Sequence, residues 1–223
     1  MNVTKRSKNK MKKNLPKIAI GFTFFVLFVI FSYFVHKDLF TQIDFNTTVR
    51  LQDKIPRRVD ELFSIFSLIG TAEIAGIFLL VLLAIKRKLS LILTLPAFIA
   101  LHVFELFGKT FVDHLPPPHF LLRTEKLVDL PQFYMRLENS YPSGHSARTA
   151  FISAILIILF AKSKKLSQNQ KLIAYIAIGF YDVIMFTSRI YLGEHWLSDV
   201  IGGILLGASL GLISLVFVKS KDL

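Results

Sequence analysis

Six apolar stretches, at 18–35, about 65–85, 89–112, 144–161, 172–190 and 196–218, alternate with polar intervals such as Lys86-Arg87-Lys88 and Lys162-Ser163-Lys164-Lys165. Each approaches the roughly 20 helical residues that cross a hydrocarbon core. The first, Ile18 to Val35, carries no charge. The pattern predicts an all-α fold, a polytopic membrane bundle of about six transmembrane helices. Pro56 to Ser67 mixes charge with a short apolar stripe, which predicts an amphipathic or re-entrant piece before the second span. The chain divides into a basic, disordered tail at 1–17, near anionic headgroups, and a membrane domain at 18–218. A basic run before an apolar one also marks a secretory signal. Here the apolar stretch is long for that role, and Ser32-Tyr33-Phe34-Val35-His36 offers no small-x-small cleavage site, so the helix is read as retained.

Composition agrees with this reading. With 53% hydrophobic residues, 22 phenylalanines and a mean hydropathy of +0.54, the chain is too apolar for a soluble domain. A net charge of +12 raises the possibility of a nucleic-acid partner, but the basic residues lie between apolar runs rather than among aromatics on one soluble face. The partner they imply is a bilayer, with no nucleic acid. Cytoplasmic loops carry the excess of lysine and arginine. With the N-terminus inside, the inner segments hold sixteen basic residues (Lys5 to Lys17, 86–88, 162–171, Lys219 and Lys221) and only Asp222 as an acid. The outer segments hold eight: Lys37, Arg50, Lys54, Arg57, Arg58, Arg123, Lys126 and Arg136, with many acids. Both termini are therefore expected to be cytoplasmic. The loop from about His114 to Tyr141 and the turn around Gly193 then share the outer face of the cell membrane. The absence of cysteine removes thiolate chemistry.

Ionisable residues inside spans mark function by default. His102, Glu105 and Lys109 fall on one narrow face of the third span, where Glu105 and Lys109 either form an internal ion pair or leave Lys109 for an external anion. Tyr141-Pro142-Ser143-Gly144-His145 precedes an apolar helix. Pro142 blocks backward continuation, Ser143 can cap, and Gly144 lets a ligand approach the backbone, so this helix end suits an anion. Arg148, one turn further, pairs with an acid or supports the same site. His195 and Asp199, four apart, place a carboxylate within reach of an imidazole on one helix face. Such an imidazole is a metal ligand, with His102 and His145 as further donors on paper, or a nucleophile or base. No HExxH-type or paired-carboxylate spacing supports the metal. Glu73 and Asp182 are read as bonds between helices. Trp196 is read as an interfacial indole.

Pro142-Ser143-Gly144-His145, followed by Ser188, Arg189, His195 and Asp199 in the spacing SR-x5-H-x3-D, resembles the type 2 phosphatidic acid phosphatase (PAP2) superfamily, which also includes vanadium haloperoxidases. The resemblance covers about 109–199 by motif. A further family motif, lysine followed after six residues by Arg-Pro, is half kept: Lys109 is present, but Pro116-Pro117 occupies the Arg-Pro position. His119 and Arg123 are candidates to replace the arginine.

The resemblance implies that His195 attacks phosphorus, that Asp199 orients it, and that His145 protonates the leaving oxygen. It also implies that Lys109, Arg189, Ser143 and Gly144 hold the phosphate oxygens, with no metal and no cofactor. The expected activity is that of a lipid phosphatase acting on a lipid phosphate, with undecaprenyl diphosphate foremost and phosphatidylglycerophosphate or phosphatidate as the alternative. A nonenzymatic lipid transporter or scaffold is the alternative of another class, raised by the missing arginine. Hydropathy disfavours a soluble haloperoxidase.

Overall fold

The computed structural model describes residues 2–86, 91–92, 94–124 and 138–215. Arg87, Lys88, Lys126, Arg136, Lys219, Lys221, Asp222 and the C-terminal end of the sixth expected span lie outside them. Eight α-helices occur among the described residues: α1 (Asn2–His36), α2 (Thr41–Lys54), α3 (Asp60–Ile69), α4 (Ala72–Lys86), α5 (Thr94–Phe111), α6 (Gly144–Lys162), α7 (Gln168–Tyr191) and α8 (Leu197–Ser214).

Helices occupy the described part of each of the six expected spans, the second being interrupted at Gly70 and Thr71. Ile18–His36 of α1, together with α6, α7 and α8, are long and apolar enough to cross a membrane. The segment Arg57–Ile69 and α4 form a fifth, broken candidate bent by 51°. The Arg57–Ile69 arm of this pair covers most of the Pro56 to Ser67 segment from which an amphipathic or re-entrant piece is expected, and the break itself falls after it, between Ile69 and Ala72. Helix α5 is not among these candidates, since it carries His102, Glu105 and Lys109.

Two elements differ from the expectation. Helix α1 runs back through the basic segment to Asn2, where the sequence suggests a disordered tail. Lysine is a good helix former, and extending an existing helix needs no new nucleus. Helix α2 occupies what reads as a polar loop. Its buried residues Asp44, Thr48 and Gln52 recur every fourth position, so one polar stripe faces the protein.

Polarity is arranged inside out. Phe22, Ile77, Ile85, Ile173, Ile176, Phe180 and Val183 are exposed, whereas Ser143, Ser146, Arg148, Ser188, Arg189, Asp199 and Ser209 are buried. An apolar solvent accepts the first set, and the second must find its partners within the protein. Asp182 does so across two helices, accepting from Ser153 Oγ at 2.7 Å and tying α6 to α7.

Helix α8 is the central element, packed against α1, α2, α5, α6 and α7. Its closest partner is α6, because Gly203, Gly207 and Gly211 present one smooth stripe to that helix. A Cβ at Gly207 would lie 2.0 Å from the Ala147 carbonyl oxygen. At the site end, Tyr141 lies over Gly202, stacks on Phe28 and hydrogen-bonds Ser32 at 2.9 Å, which fixes the segment leading into α6.

Gly207→Ala should force α6 and α8 apart and cost about 1–3 kcal/mol, read as a lower melting temperature in detergent. Gly179→Ala is the control, since no atom lies within 4 Å of its added Cβ. Equal melting of the two variants would contradict the packing argument.

Candidate active site

The two sequence patterns meet where α6 and α8 begin. Ser143 caps α6, its Oγ accepting from Ser146 N at 3.4 Å, and its own N–H donates to the Asp199 carbonyl at 3.0 Å. Helix α7 ends at Tyr191, and just beyond it Gly193, with a φ of +69°, permits the reversal. A Cβ there would also strike the Leu121 carbonyl oxygen. Gln52 of α2 secures the turn, donating to the carbonyls of Leu121 and Tyr191 at 2.6 and 2.8 Å.

His195 and Asp199 do meet, though not on a helix face. His195 precedes α8, and Asp199 lies in that helix's first turn. The Asp199 Oδ2 accepts from Trp196 N at 2.9 Å and faces His195 Nδ1 at 3.3 Å. The carboxylate thus caps its own helix and orients the imidazole. The Trp196 indole donates to the Leu115 carbonyl at 2.8 Å.

A cavity of about 490 Å³ is lined by His102, Glu105, Lys109, Gly144, His145, Arg148 and His195, with apolar side chains of α5 on its flank. Lys109, Gly144, His145 and His195 are thereby brought together as expected. Ser143 and Arg189 do not line it. The Ser143 hydroxyl is taken up by the cap, and Arg189 is fully buried with Nη1 2.5 Å from Glu194 Oε2. Two buried nitrogens among the described residues lack a protein partner, His145 Nε2 and Arg189 Nη2.

Glu105 is the counter-ion of the cavity. It lies 3.3 Å from Lys109 Nζ, 3.0 Å from Arg148 Nη1 and 3.4 Å from His102 Nδ1. Its carboxylate also rests on Gly144, where a Cβ would overlap it. Arg148 is held further by its Nε, which donates to the Gly70 carbonyl at 2.9 Å. Neither candidate replacement for the first-motif arginine lines this cavity. Arg123 bonds Tyr191 Oη at 3.0 Å and lies over that ring, and His119 is exposed in a 3-10 turn. The second cation of the cavity is Arg148.

One buried histidine has no counterpart in the sequence reading. His114 Nδ1 lies 2.9 Å from Asp199 Oδ1, and its Nε2 lies 3.7 Å from Asp44 Oδ2. Asp44 in turn accepts from Ser198 N and Oγ at 2.8 and 2.6 Å, so α2 contributes an acceptor to the start of α8. Burial works against the His114 imidazolium, but the hydrogen bond and charge of Asp199, with Asp44 and Asp38, outweigh it and push its pKa up. The Asp44 carboxyl is pushed up by burial, against the pull of Ser198. For Glu194, burial is outweighed by Arg189, the Thr124 hydrogen bond and His195, which hold it below the usual carboxylate range. Among the described residues no group of three or more His, Asp or Glu side chains is placed to hold a metal ion.

This arrangement sits in an all-helical bundle with helices long and apolar enough to cross a membrane, and residues 86–222 match the PAP2 superfamily. The chain belongs to that superfamily. It is 36% identical over 83 residues to phosphatidylglycerophosphatase B of Bacillus subtilis, covering 37% of this chain and 39% of that protein. It is 30% identical over 136 residues to undecaprenyl-diphosphatase of Sulfolobus acidocaldarius, covering 61% and 58%. The matched regions thus span less than two thirds of those relatives. The fold is similar to the crystal structure of a transmembrane PAP2-type phosphatidylglycerolphosphate phosphatase from Bacillus subtilis, with a TM-score of 0.72 at 21% identity over 87% of this chain and 93% of that one. Aquifex aeolicus LpxE is similar with a TM-score of 0.54 at 26% identity, over 78% and 94%.

Removing the charge of Glu194 leaves Arg189 buried without its counter-ion, a change worth about 3 kcal/mol. A carboxyl with a lowered folded pKa contributes stability above its unfolded pKa and loses it as pH falls through the folded value. Glu194→Gln should therefore melt well below wild type at neutral pH, with the gap closing on acidification. A gap independent of pH would show that the charge is not the cause.

Proposed function

We propose that the protein is a membrane lipid phosphatase working through a phosphohistidine. The observation that carries this reading is the imidazole of His195, with Nδ1 facing the buried Asp199 and its ring lining a cavity that also takes His145, Lys109 and Arg148. His195 Nε2 attacks phosphorus as the bond to the leaving oxygen breaks, and His145 gives that oxygen its proton. Water then attacks the phosphohistidine, His145 takes up the proton released, and inorganic phosphate leaves with His195 restored. Phosphoryl transfer needs chiefly positioning and neutralised oxygen charge. Lys109, Arg148 and the backbone N–H groups at the start of α6 meet that need in the cavity. Arg189 supplies charge from its buried position against Glu194. On this reading Arg148 takes the part of the arginine missing from the first motif, which weighs against a nonenzymatic scaffold, and no metal takes part.

The substrate is a lipid whose phosphate enters the cavity while its chain stays among the apolar residues of α5, with the active site at the outer face and both termini cytoplasmic. Undecaprenyl diphosphate is the first candidate. Phosphatidylglycerophosphate, the substrate class named for the Bacillus relatives, is the second, and phosphatidate the third.

The purified full chain in detergent should release phosphate from at least one of these three lipids with EDTA present. His195→Ala should lower the rate about a thousandfold or more. Activity abolished by the chelator, or surviving in the variant, would refute the mechanism. Because one histidine must be neutral and the other protonated, kcat/KM should be bell-shaped in pH. A profile rising to a plateau would remove His145 as the proton donor.

A further inference from the structure

The carboxylate behind His195 belongs to a longer buried chain of charge. In order it runs from His195 to Asp199, to His114 and to Asp44, with separations of 3.3, 2.9 and 3.7 Å. All four residues are buried. Two carboxylates on either side of one imidazole address both of its ring nitrogens. Asp199 takes Nδ1 at hydrogen-bond distance and Asp44 lies at ion-pair distance from Nε2, so the carboxylates on its two sides favour the ring in its doubly protonated, charged form. The groups facing His114 are all acidic: Asp199 from α8, Asp44 from α2 and Asp38 from the turn before it, with Asp113 and Glu138 lining, beside His114, a second cavity distinct from that of His145 and His195.

The placement of His114 is itself built. Its N–H donates to Asn139 Oδ1 at 3.1 Å, and its carbonyl accepts from Ser140 N and Oγ at 2.9 and 3.1 Å. Its ring meets that of Tyr141 edge to face at 6.5 Å. The residues that fix His114 therefore lead directly into Pro142 and the start of α6.

We propose that His114 is a positioning residue for the His195 reaction, an imidazolium clamped between Asp44 and Asp199 that locks the Asp199 carboxylate in the plane His195 requires. This rests on the phosphatase reading above. With Oδ1 taken by His114, the carboxylate cannot rotate, and Oδ2 stays directed at His195 Nδ1 and Trp196 N. The imidazolium also offsets the second of two buried carboxylates, leaving a single net negative charge to face the ring as it takes on a phosphoryl group. Arg189, Glu194, His145, Lys109, Glu105 and Arg148 complete the titratable surroundings of His195.

The test compares wild type with His114→Asn, which keeps a donor near Asp199 and loses the charge. Phosphate-release kinetics and melting in detergent are measured between about pH 5 and pH 9. The expected kcat is lower by about 10- to 100-fold, the range for groups that orient an imidazole from behind, with KM nearly unchanged because His114 does not line the cavity of His145 and His195. A histidine whose folded pKa is raised contributes stability below its unfolded pKa and loses it as pH rises through the folded value. The melting gap between wild type and variant should therefore be wide at acidic pH and shrink with rising pH. A folded variant with kcat within about threefold of wild type, or a melting gap flat across the range, overturns the proposal. If His114→Asn does not fold, Asp44→Asn, which retains an acceptor for Ser198, takes its place. The same loss of kcat supports the clamp, and its absence overturns it. Should wild type release no phosphate from any lipid tested, the phosphatase reading fails, while the melting comparison still decides whether His114 carries the charge.

Discussion

The Asp199 carboxylate, fully buried in the first turn of α8, is the constraint around which the site end of the molecule is arranged. A charge withdrawn from solvent must be matched by donors on each oxygen or it becomes prohibitively costly. Here the donors come from separate parts of the chain: Trp196 and His195 from the turn before α8, and His114 from the loop after α5. Satisfying one carboxylate thus draws the α5 loop to the start of α8. The Ser143 N–H on the Asp199 carbonyl adds the start of α6 to the same point.

That convergence needs a central helix slim enough to be approached from several sides, and the glycines of α8 provide it. Gly202 accepts the ring of Tyr141, while Gly203, Gly207 and Gly211 let the α6 backbone come close. Between apolar helices there is little hydrophobic gain from association in a membrane, so close contact and internal polar bonds must hold the bundle. The buried serines, arginines and aspartate of the interior belong to that scheme as much as to the chemistry.

Much of this was legible from the chain. The spans declared themselves by hydropathy, and the motif around Ser143 and that around His195 were recognisable because each sits on contiguous residues. What escaped depended on distance in sequence. Helix α2 reads as a polar loop because its average character is polar, and only the four-residue spacing of Asp44, Thr48 and Gln52 betrays a buried face. His114 looked like an ordinary loop residue, since both acids that define it come from other elements. The geometry of His195 and Asp199 also differed from simple helical periodicity, because one residue lies before the helix and the other caps it. Arg148 was visible as a candidate, but its place beside Lys109 follows from α5 packing on α6.

The break between α3 and α4 has a consequence for how this family member can vary. In an unbroken helix the Gly70 carbonyl would be consumed by the backbone four residues on. Here it is released at the bend and receives the Arg148 guanidinium instead. A main-chain oxygen cannot be removed by exchanging a side chain, so this grip on the cation is written into the path of the chain rather than into its alphabet. Drift along α3 and α4 can therefore reshape the lipid-facing surface while the cation keeps its place, provided the bend itself survives.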